Sequence, residues 1–353
     1  MQKRSLPLDN LLPGIPNELA LREISTKLSW KDFHVLSSVS HGWHHAIQSR
    51  EVYNARVHSQ TRETLTCISY GSQPRPLQLA LYSKRDGSSY LLPPIPGFEC
   101  GGPRHSGCVS LDGSIYVVGG FEGSRSRVVH VLDLAGQTGW KLCASMRELR
   151  SDFQCGVLHG KIYAFGGNWD QDHSCAEVYD PKTNAWSPIR TAIQYNCHHE
   201  VESLGDEIFL TNGVWDRAFS PDFVAYHPVN DEWREVDKYS DELPFVAQGK
   251  WYFMYSDGIF VNDTDQISRI QLHTFSFPEN VKSTNIPIRV QAVDEELLVL
   301  WDCNDCEGEE DFRLFQSKGF CGDAKEILWE QPPLDFAADS IKSNLCSLTT
   351  VQL

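Results

Sequence analysis

Long apolar runs are missing from this 353-residue sequence. No stretch of 18 or more apolar residues occurs, and the opening segment MQKRSLPLDNLLPGIPNE contains no apolar core of the kind found in signal peptides. The eleven cysteines are scattered and odd in number, which favours free thiols in a reducing compartment over a disulfide framework. The sequence therefore predicts no membrane association and a location in the cytoplasm, the nucleus or both.

Basic residues are also scarce. The chain has 31 Lys and Arg against 47 Asp and Glu, which gives a formal net charge of -16. Because nucleic-acid binding needs clustered Lys and Arg for the phosphates, this balance predicts no nucleic-acid partner. It favours instead a protein partner that presents basic or apolar patches.

Motifs for catalysis and metal binding are lacking as well. No Gly-rich phosphate loop opens a helix, and no nucleophile elbow is visible. Cys303 and Cys306 have the spacing of half a zinc site, but no second pair follows at a suitable distance. The doubled histidines at 44–45 and 198–199 place their members on different faces, which makes a poor metal pair. We expect no metal, no cofactor and no enzymatic activity.

The sequence does contain an internal repeat of about 47 residues. Three times, 47 and 46 residues apart, an apolar run ends at a glycine, and a tryptophan follows about 20 residues later. These markers are Gly120, Gly167 and Gly213, and then Trp140, Trp186 and Trp233. In the clearest copy, AFGGNWDQDHSCAEVYDPKTNAW, a turn with Pro and Asn separates two strand-like runs, since Pro presets φ and Asn tolerates left-handed backbone. Four strands in each repeat are typical of a propeller blade.

Degenerate copies extend the repeat to six units. The first unit lacks its innermost strand, whereas the C-terminal segment SNLCSLTTVQL is similar to the inner strands of other units without being followed by a blade. We therefore predict that this segment closes a six-bladed ring, with five or seven blades as the alternatives. The repeated glycines and tryptophans are expected to serve blade packing.

The double glycine, the Tyr-Asp-Pro turn and the spaced tryptophan resemble the kelch repeat, over roughly residues 62–351. Kelch-type propellers include a radical-copper oxidase. That activity would need a copper site built from a tyrosine, a cysteine and two histidines, and no such set is apparent here.

Residues 11–57 have a helical period instead. Asn17 is predicted to cap a helix, and large apolar residues then recur at helical spacing: Leu21, Ile24, Leu28, Phe33, Leu36, Val39, Trp43 and Ile47. About forty residues cannot bury so many large side chains among themselves, so the remainder must face the ring or a partner. The segment is then either a structural cap on the ring or a docking module.

A second resemblance favours the docking module. The pattern Leu12-Pro13-x-Ile15-Pro16-x-Glu18-Leu19, followed by Leu36, Val39-Ser40 and Trp43, resembles an F-box, and an F-box before kelch repeats is similar to the plant F-box/kelch family. The predicted architecture is an α+β multidomain chain: a small three-helix F-box over residues 11–57 and an all-β kelch propeller over residues 58–353.

The resemblance implies a non-catalytic role in protein degradation. In that family the F-box docks on the Skp adaptor, and through it on a cullin, while the propeller holds the protein to be ubiquitinated. It implies target classes such as phenylalanine ammonia-lyase or a cytokinin response regulator. The alternative is a cytosolic or cytoskeletal kelch scaffold without a ligase role. Carried over by position, the adaptor-binding set is Leu12, Pro13, Ile15, Pro16, Leu19, Leu36, Val39 and Trp43.

The target is expected at one face of the ring. In a kelch blade, residues just after the glycine corner and just before the inner strand lie in loops around the central channel, where binding residues vary without disturbing the sheets. Aromatic and acidic residues recur there, either as packing with turn-capping carboxylates or as an interface with a basic, apolar segment. The predicted target-binding residues are Arg104, Phe121, Glu122, Asp152, Trp169, Asp170, His198, Trp215, Asp216, Asp257, Trp301 and Asp302.

Overall fold

The N-terminal part of the chain is helical in the computed structural model. The model describes residues 10–70, 77–97, 106–120, 124–151, 153–167, 176–190, 199–212, 223–236, 243–254, 258–262, 269–276, 286–302, 312–318, 320, 326–332 and 345–353. The helices are α1 (Asn17–Ser25), α2 (Asp32–Val39), α3 (His41–Gln48) and α4 (Glu51–Ser59), one more than the three predicted. Across the described part of the chain, no helix combines the length and the apolar character that a membrane span requires.

The helix boundaries follow from local backbone chemistry. Ser40 has extended backbone between α2 and α3, and its Oγ accepts a hydrogen bond from the Trp43 N–H at 3.2 Å, which caps α3. The prediction that Asn17 caps α1 is wrong, because Pro16 holds the cap position and Asn17 is the first helical residue. The Asn17 side chain instead accepts the Leu11 N–H at 2.9 Å, which ties the preceding segment to the helix.

Four-stranded antiparallel sheets follow the helices and form the first three blades. Blade 1 contains β1 (Thr64–Tyr70), β2 (Gln78–Ser83) and β3 (Ser88–Leu91); blade 2 contains β4 (Gly107–Leu111), β5 (Ser114–Val118), β6 (Val129–Asp133) and β7 (Lys141–Leu142); blade 3 contains β8 (Phe153–Leu158), β9 (Lys161–Gly166), β10 (Ala176–Asp180) and β11 (Ala185–Ile189).

The remaining strands form three further blades, and one returns to blade 1. Blade 4 contains β12 (His199–Leu204), β13 (Glu207–Asn212), β14 (Phe223–His227) and β15 (Glu232–Glu235); blade 5 contains β16 (Leu243–Ala247), β17 (Lys250–Met254), β18 (Gly258–Asn262) and β19 (Arg269–Ser276); blade 6 contains β20 (Ile286–Val293), β21 (Glu296–Asp302), β22 (Phe312–Lys318) and β23 (Glu326–Glu330); β24 (Leu345–Gln352) joins blade 1. The predicted six-bladed propeller is thus confirmed. The outer strands β19 and β23 also pair in parallel, which merges blades 5 and 6 into one eight-stranded sheet.

The last strand closes the ring as the sequence predicted. Strand β24 pairs antiparallel with β1, where Val351 lies opposite Leu65, and it supplies the innermost strand that blade 1 lacks. The inner strands β24, β4, β8, β12, β16 and β20 contact one another in turn around the ring, and β20 contacts β24 again. The two ends of the propeller sequence are therefore joined by one ladder of hydrogen bonds.

The repeated glycines and tryptophans pack the blades. Gly120 and Gly167 have φ values of 104° and 74°, and a Cβ on Gly167 would lie 2.6 Å from the Ser151 carbonyl oxygen, so only glycine fits there. The indole N–H of each marker tryptophan donates to a backbone carbonyl of an earlier segment at 2.8–2.9 Å. The pairs are Trp140 with Pro93, Trp186 with Ala144 and Trp233 with Arg190. Each tryptophan thereby fastens its blade to the connection that precedes it.

Candidate protein-interaction site

Exposed apolar side chains concentrate on the helices. Ten large hydrophobic residues are exposed in the described part of the chain, and five of them lie between residues 15 and 57. These five are Ile15, Leu19, Val35, Val39 and Val57. The other five are spread singly over the propeller, and isolated exposed apolar residues are normal on a protein surface. Among the described residues, exposed large apolar side chains are therefore densest in the helical segment.

Helix α2 presents the most exposed of these side chains. Phe33 and Leu36 point into the core, whereas Val35 and Val39 are 66% and 64% exposed. Because residues four apart on a helix lie on the same face, Val35 and Val39 form one continuous apolar strip. We call Val35 and Val39 the valine strip.

The segment before α1 adds a second exposed apolar element. Leu12 is half-buried and Pro13 exposed, and a tight turn brings the Ile15 N–H within 3.2 Å of the Leu12 carbonyl. Gly14 occupies the turn with a φ of 75°. Ile15 is 39% exposed, and Leu19, on the first turn of α1, is 41% exposed.

Two predicted contact residues lie inside the helical core. Trp43 is 1% exposed and Leu36 is 9% exposed, so neither offers its side chain to a partner in this structure. Both support the helices that carry the exposed residues. The sequence analysis also missed Val35. Its spacing of four residues from Val39 could have placed it on the same face of α2, away from the buried stripe of Phe33 and Leu36. The adaptor-binding role of the exposed members stays a prediction.

Polar groups around the valine strip are imidazoles more than carboxylates. His34, His41, His44 and His45 are exposed on α2 and α3. The carboxylate of Asp32, at the start of α2, is bound to Ser29, whose hydroxyl and backbone N–H donate to Asp32 Oδ2 at 2.8 and 2.9 Å. These hydrogen bonds lower the pKa of Asp32. Asp32 therefore stays ionised at neutral pH, but residues 33–48 of α2 and α3 contain no further Asp or Glu.

The predicted target-binding residues fall almost entirely outside the described residues. This holds for Arg104, Phe121, Glu122, Asp152, Trp169, Asp170, His198, Trp215, Asp216 and Asp257. Trp301 and Asp302 end β21, where their backbone pairs with β20 and β22. Their role in target binding stays a prediction.

A buried ion pair holds the corners that precede two of those loops. Arg150 and Glu177 are almost fully buried, and the Arg150 guanidinium donates to Glu177 Oε1 at 2.9 Å and to the Gly166 carbonyl at 2.5 Å. The Arg150 carbonyl in turn accepts the Gly120 N–H at 2.9 Å. One residue thus ties the glycine corner of blade 2 to that of blade 3. The repeat markers in the sequence give no sign of this pair, since both residues look like ordinary surface charges.

Two of the described thiols, those of Cys67 and Cys155, are poorly suited to nucleophilic chemistry. A hydrogen bond with Cys108 and burial raise the pKa of the Cys67 thiol, and burial raises that of Cys155. Thiolate is the reactive form, so a raised pKa leaves little of it at neutral pH. Among the described residues, no group of three or more His, Cys, Asp or Glu side chains is placed to hold a metal ion.

Comparison with known proteins finds kelch sequence in the chain and relatives in plants. A family model for the kelch motif matches residues 103–147 and 149–191, which contain blades 2 and 3. The F-box protein AFR of Arabidopsis thaliana is 26% identical over 236 residues, which cover 64% of this chain and 62% of that protein. The chain thus spans less than two thirds of the length of that relative.

Two F-box/kelch-repeat proteins of Arabidopsis thaliana are similar to a comparable extent. One is 28% identical over 237 residues, covering 66% of this chain and 84% of the relative. Another is 30% identical over 251 residues, covering 67% of this chain and 64% of the relative. Among solved structures, that of YjhT has a TM-score of 0.52 at 12% identity and covers 72% of this chain and 91% of its own, which shows a shared fold.

Proposed function

We propose that this chain, which fits the plant F-box/kelch-repeat family as its sequence predicted, is the substrate receptor of a Skp-cullin-F-box ubiquitin ligase. The helices bind the Skp-type adaptor, and the propeller binds the protein to be ubiquitinated. The observation that carries the proposal is the concentration of exposed apolar side chains on helices that precede a closed kelch ring.

The energetics fit a protein partner at this surface. Ile15, Leu19, Val35 and Val39 are already one third to two thirds covered, and burying the rest of such side chains contributes roughly 1–2 kcal/mol each. Four such contacts offset a good part of the roughly 4–15 kcal/mol that association costs, and the prolines and histidines around them add further contact area.

The receptor acts by proximity and needs no catalytic group. A target bound to the propeller is brought near a ubiquitin-charged enzyme, which raises the effective concentration of its lysines. The acidic ring favours a target segment with apolar anchors and Lys or Arg flanks. By family resemblance, phenylalanine ammonia-lyase and cytokinin response regulators are the target classes to try first. This activity belongs in the cytoplasm or the nucleus.

A scaffold without a ligase role is the second candidate. It is favoured by the packing of the helices against blades 1 and 2, which is also what a purely structural cap would show. Binding to the adaptor separates the two functions, because a cap has no reason to bind it.

The test is a titration of the purified full chain with a purified Skp-type adaptor by calorimetry. The two residues of the valine strip are replaced together, by Val35→Asp with Val39→Asp, and the control is Val229→Asp, at a similarly exposed valine in the blade 4 turn. We expect the wild type and the control to bind and the double variant to lose binding at least 100-fold. A wild type that does not bind, or a double variant that binds normally, would overturn the proposal.

A further inference from the structure

The N-terminal helices share their core with the ring. Trp43, Ile47 and Tyr53 belong to one buried cluster with Leu65 of β1 and Val351 of β24. All five are at most 3% exposed. The same cluster continues into blade 2 through Leu132 and Leu134. The helices that carry the exposed apolar residues are therefore completed by side chains from the ring, including Val351 and Leu353 near the other end of the sequence.

Glu63 connects the three parts that meet at this core. Its Oε2 accepts the Trp30 N–H at 2.7 Å from the loop between α1 and α2, and its Oε1 accepts the Ser83 hydroxyl at 2.9 Å from blade 1. Its backbone N–H donates to the Leu353 carbonyl at 2.6 Å, and its carbonyl accepts the Leu353 N–H at 2.8 Å. Glu63 itself is 7% exposed, so these bonds are shielded from water.

Charged side chains reinforce the same junction from both sides. Arg85 of blade 1 donates to the Lys27 and Leu28 carbonyls after α1, at 3.1 and 3.4 Å. Arg56 of α4 donates to the Leu28 carbonyl at 3.3 Å and lies 5.3 Å from the centre of the Phe33 ring. The two arginines thereby satisfy carbonyls of the loop between α1 and α2 and tie this loop to blade 1 and to α4.

We infer that Glu63, Val351 and Leu353 are positioning residues for the adaptor surface, so that the chain binds its adaptor at full affinity only when β24 has closed the ring. This inference rests on the proposed function. When only a fraction of molecules holds the binding arrangement, the apparent Kd rises by the inverse of that fraction. Loosening β24 would therefore weaken adaptor binding although β24 contributes no residue to the proposed adaptor surface.

The first test compares two matched core valines in the full chain. Val351→Ala thins the shared core, and Val299→Ala thins the separate core of blades 5 and 6; both valines are 0% exposed. The adaptor titration should show Kd raised about fivefold or more for Val351→Ala and less than about twofold for Val299→Ala. Amide hydrogen exchange of the free chain should speed up in α1–α4 for Val351→Ala alone.

Equal Kd values and equal helix exchange in the two valine variants would overturn the inference while leaving the proposed function intact. Failure of the wild type to bind the adaptor would instead contradict the proposed function, and the exchange comparison would still decide the shared core.

A second pair of variants tests Glu63 without thinning the core. Glu63→Ala removes both acceptors, whereas Glu63→Gln keeps a carbonyl for the Trp30 N–H and an amide that can donate to the Ser83 hydroxyl. We expect Glu63→Ala to raise the adaptor Kd about fivefold or more and Glu63→Gln to restore it to within about twofold of the wild type. Wild-type affinity in Glu63→Ala would overturn the assignment of this residue.

Discussion

The helical segment and the ring differ in charge and in the surface they leave open. Residues 1–60 contain seven Lys and Arg and five Asp and Glu, whereas residues 61–353 contain 24 and 42. The nearly neutral segment exposes clustered apolar side chains, and the acidic ring exposes them singly. A neutral apolar face suits a partner recognised by shape and burial, while an acidic ring selects partners by charge. The proposed function assigns these two regions to different partners, although they share one core.

The largest expected effect comes from removing β24. Deletion of residues 345–353 exposes the edge of β1 and opens the shared core, so we expect an insoluble chain or a Tm lower by about 10 °C or more. Solubility and a calorimetric scan measure it. If the shortened chain melted like the full chain, the ring would be closed in another way and the two regions would not share their stability.

Breaking the buried ion pair between Arg150 and Glu177 should destabilise the ring and not the helical segment. Arg150→Ala leaves the Glu177 carboxylate buried without its cationic partner, although the Arg147 and Glu148 N–H groups still donate to it, and should cost about 3–5 kcal/mol of unfolding free energy in urea. The control is Arg234→Ala, which breaks the exposed pair with Glu207 and should cost less than about 1 kcal/mol. Similar costs for the two variants would show that the blade 2 and blade 3 corners do not depend on Arg150.

Two residues of the helical segment should distinguish a side chain that supports the core from one that contacts the adaptor. Trp43→Ala should destabilise the chain by about 3–5 kcal/mol, because a fully buried side chain is lost. Val39→Ala should change stability by less than about 0.5 kcal/mol and still weaken adaptor binding. Urea unfolding and the adaptor titration measure the two quantities. A Val39 variant that lost stability as well would place Val39 in the core.

The smallest expected loss of stability comes from removing the Tyr53 hydroxyl, which bonds the helical segment to the ring. Tyr53→Phe removes the bond from Tyr53 to Asp112 Oδ1 at 3.1 Å, which joins α4 to blade 2, and should cost about 0.5–1.5 kcal/mol. Tyr226→Phe removes a similar bond to Asp231 within blade 4 and is the control. Faster amide exchange in α4 is expected only for Tyr53→Phe. Equal exchange in both variants would argue against a tight helix–ring contact.

Most of the ring could be predicted from the sequence, because the same turn and packing residues recur in successive blades. Glycine corners, turn residues and tryptophans at a fixed period predicted six blades and the closing role of β24. The fourth helix was missed, since EVYNARVHS has no regular apolar stripe. Its Val52 and Tyr53 are buried by long-range packing against other parts of the chain, which periodicity does not report.

The candidate site was only partly predictable for a related reason. The F-box resemblance named Ile15, Leu19 and Val39, but it could not separate them from Trp43, which lies on an equally apolar position. Which apolar side chain stays exposed depends on where the ring covers the helices, and the contacts of Tyr53 with Asp112 and of Trp30 with Glu63 join residues 59 and 33 positions apart. The parallel pairing of β19 with β23 likewise has no local signature.

Amide hydrogen exchange of the full chain with and without a purified Skp-type adaptor tests the division between the two regions most directly. We expect the adaptor to slow exchange within residues 11–48 and, through the shared core, in β1 and β24, and to leave blades 3–5 unchanged. Protection on the blades with none on the helices, or no protection anywhere at saturating adaptor, would contradict the account.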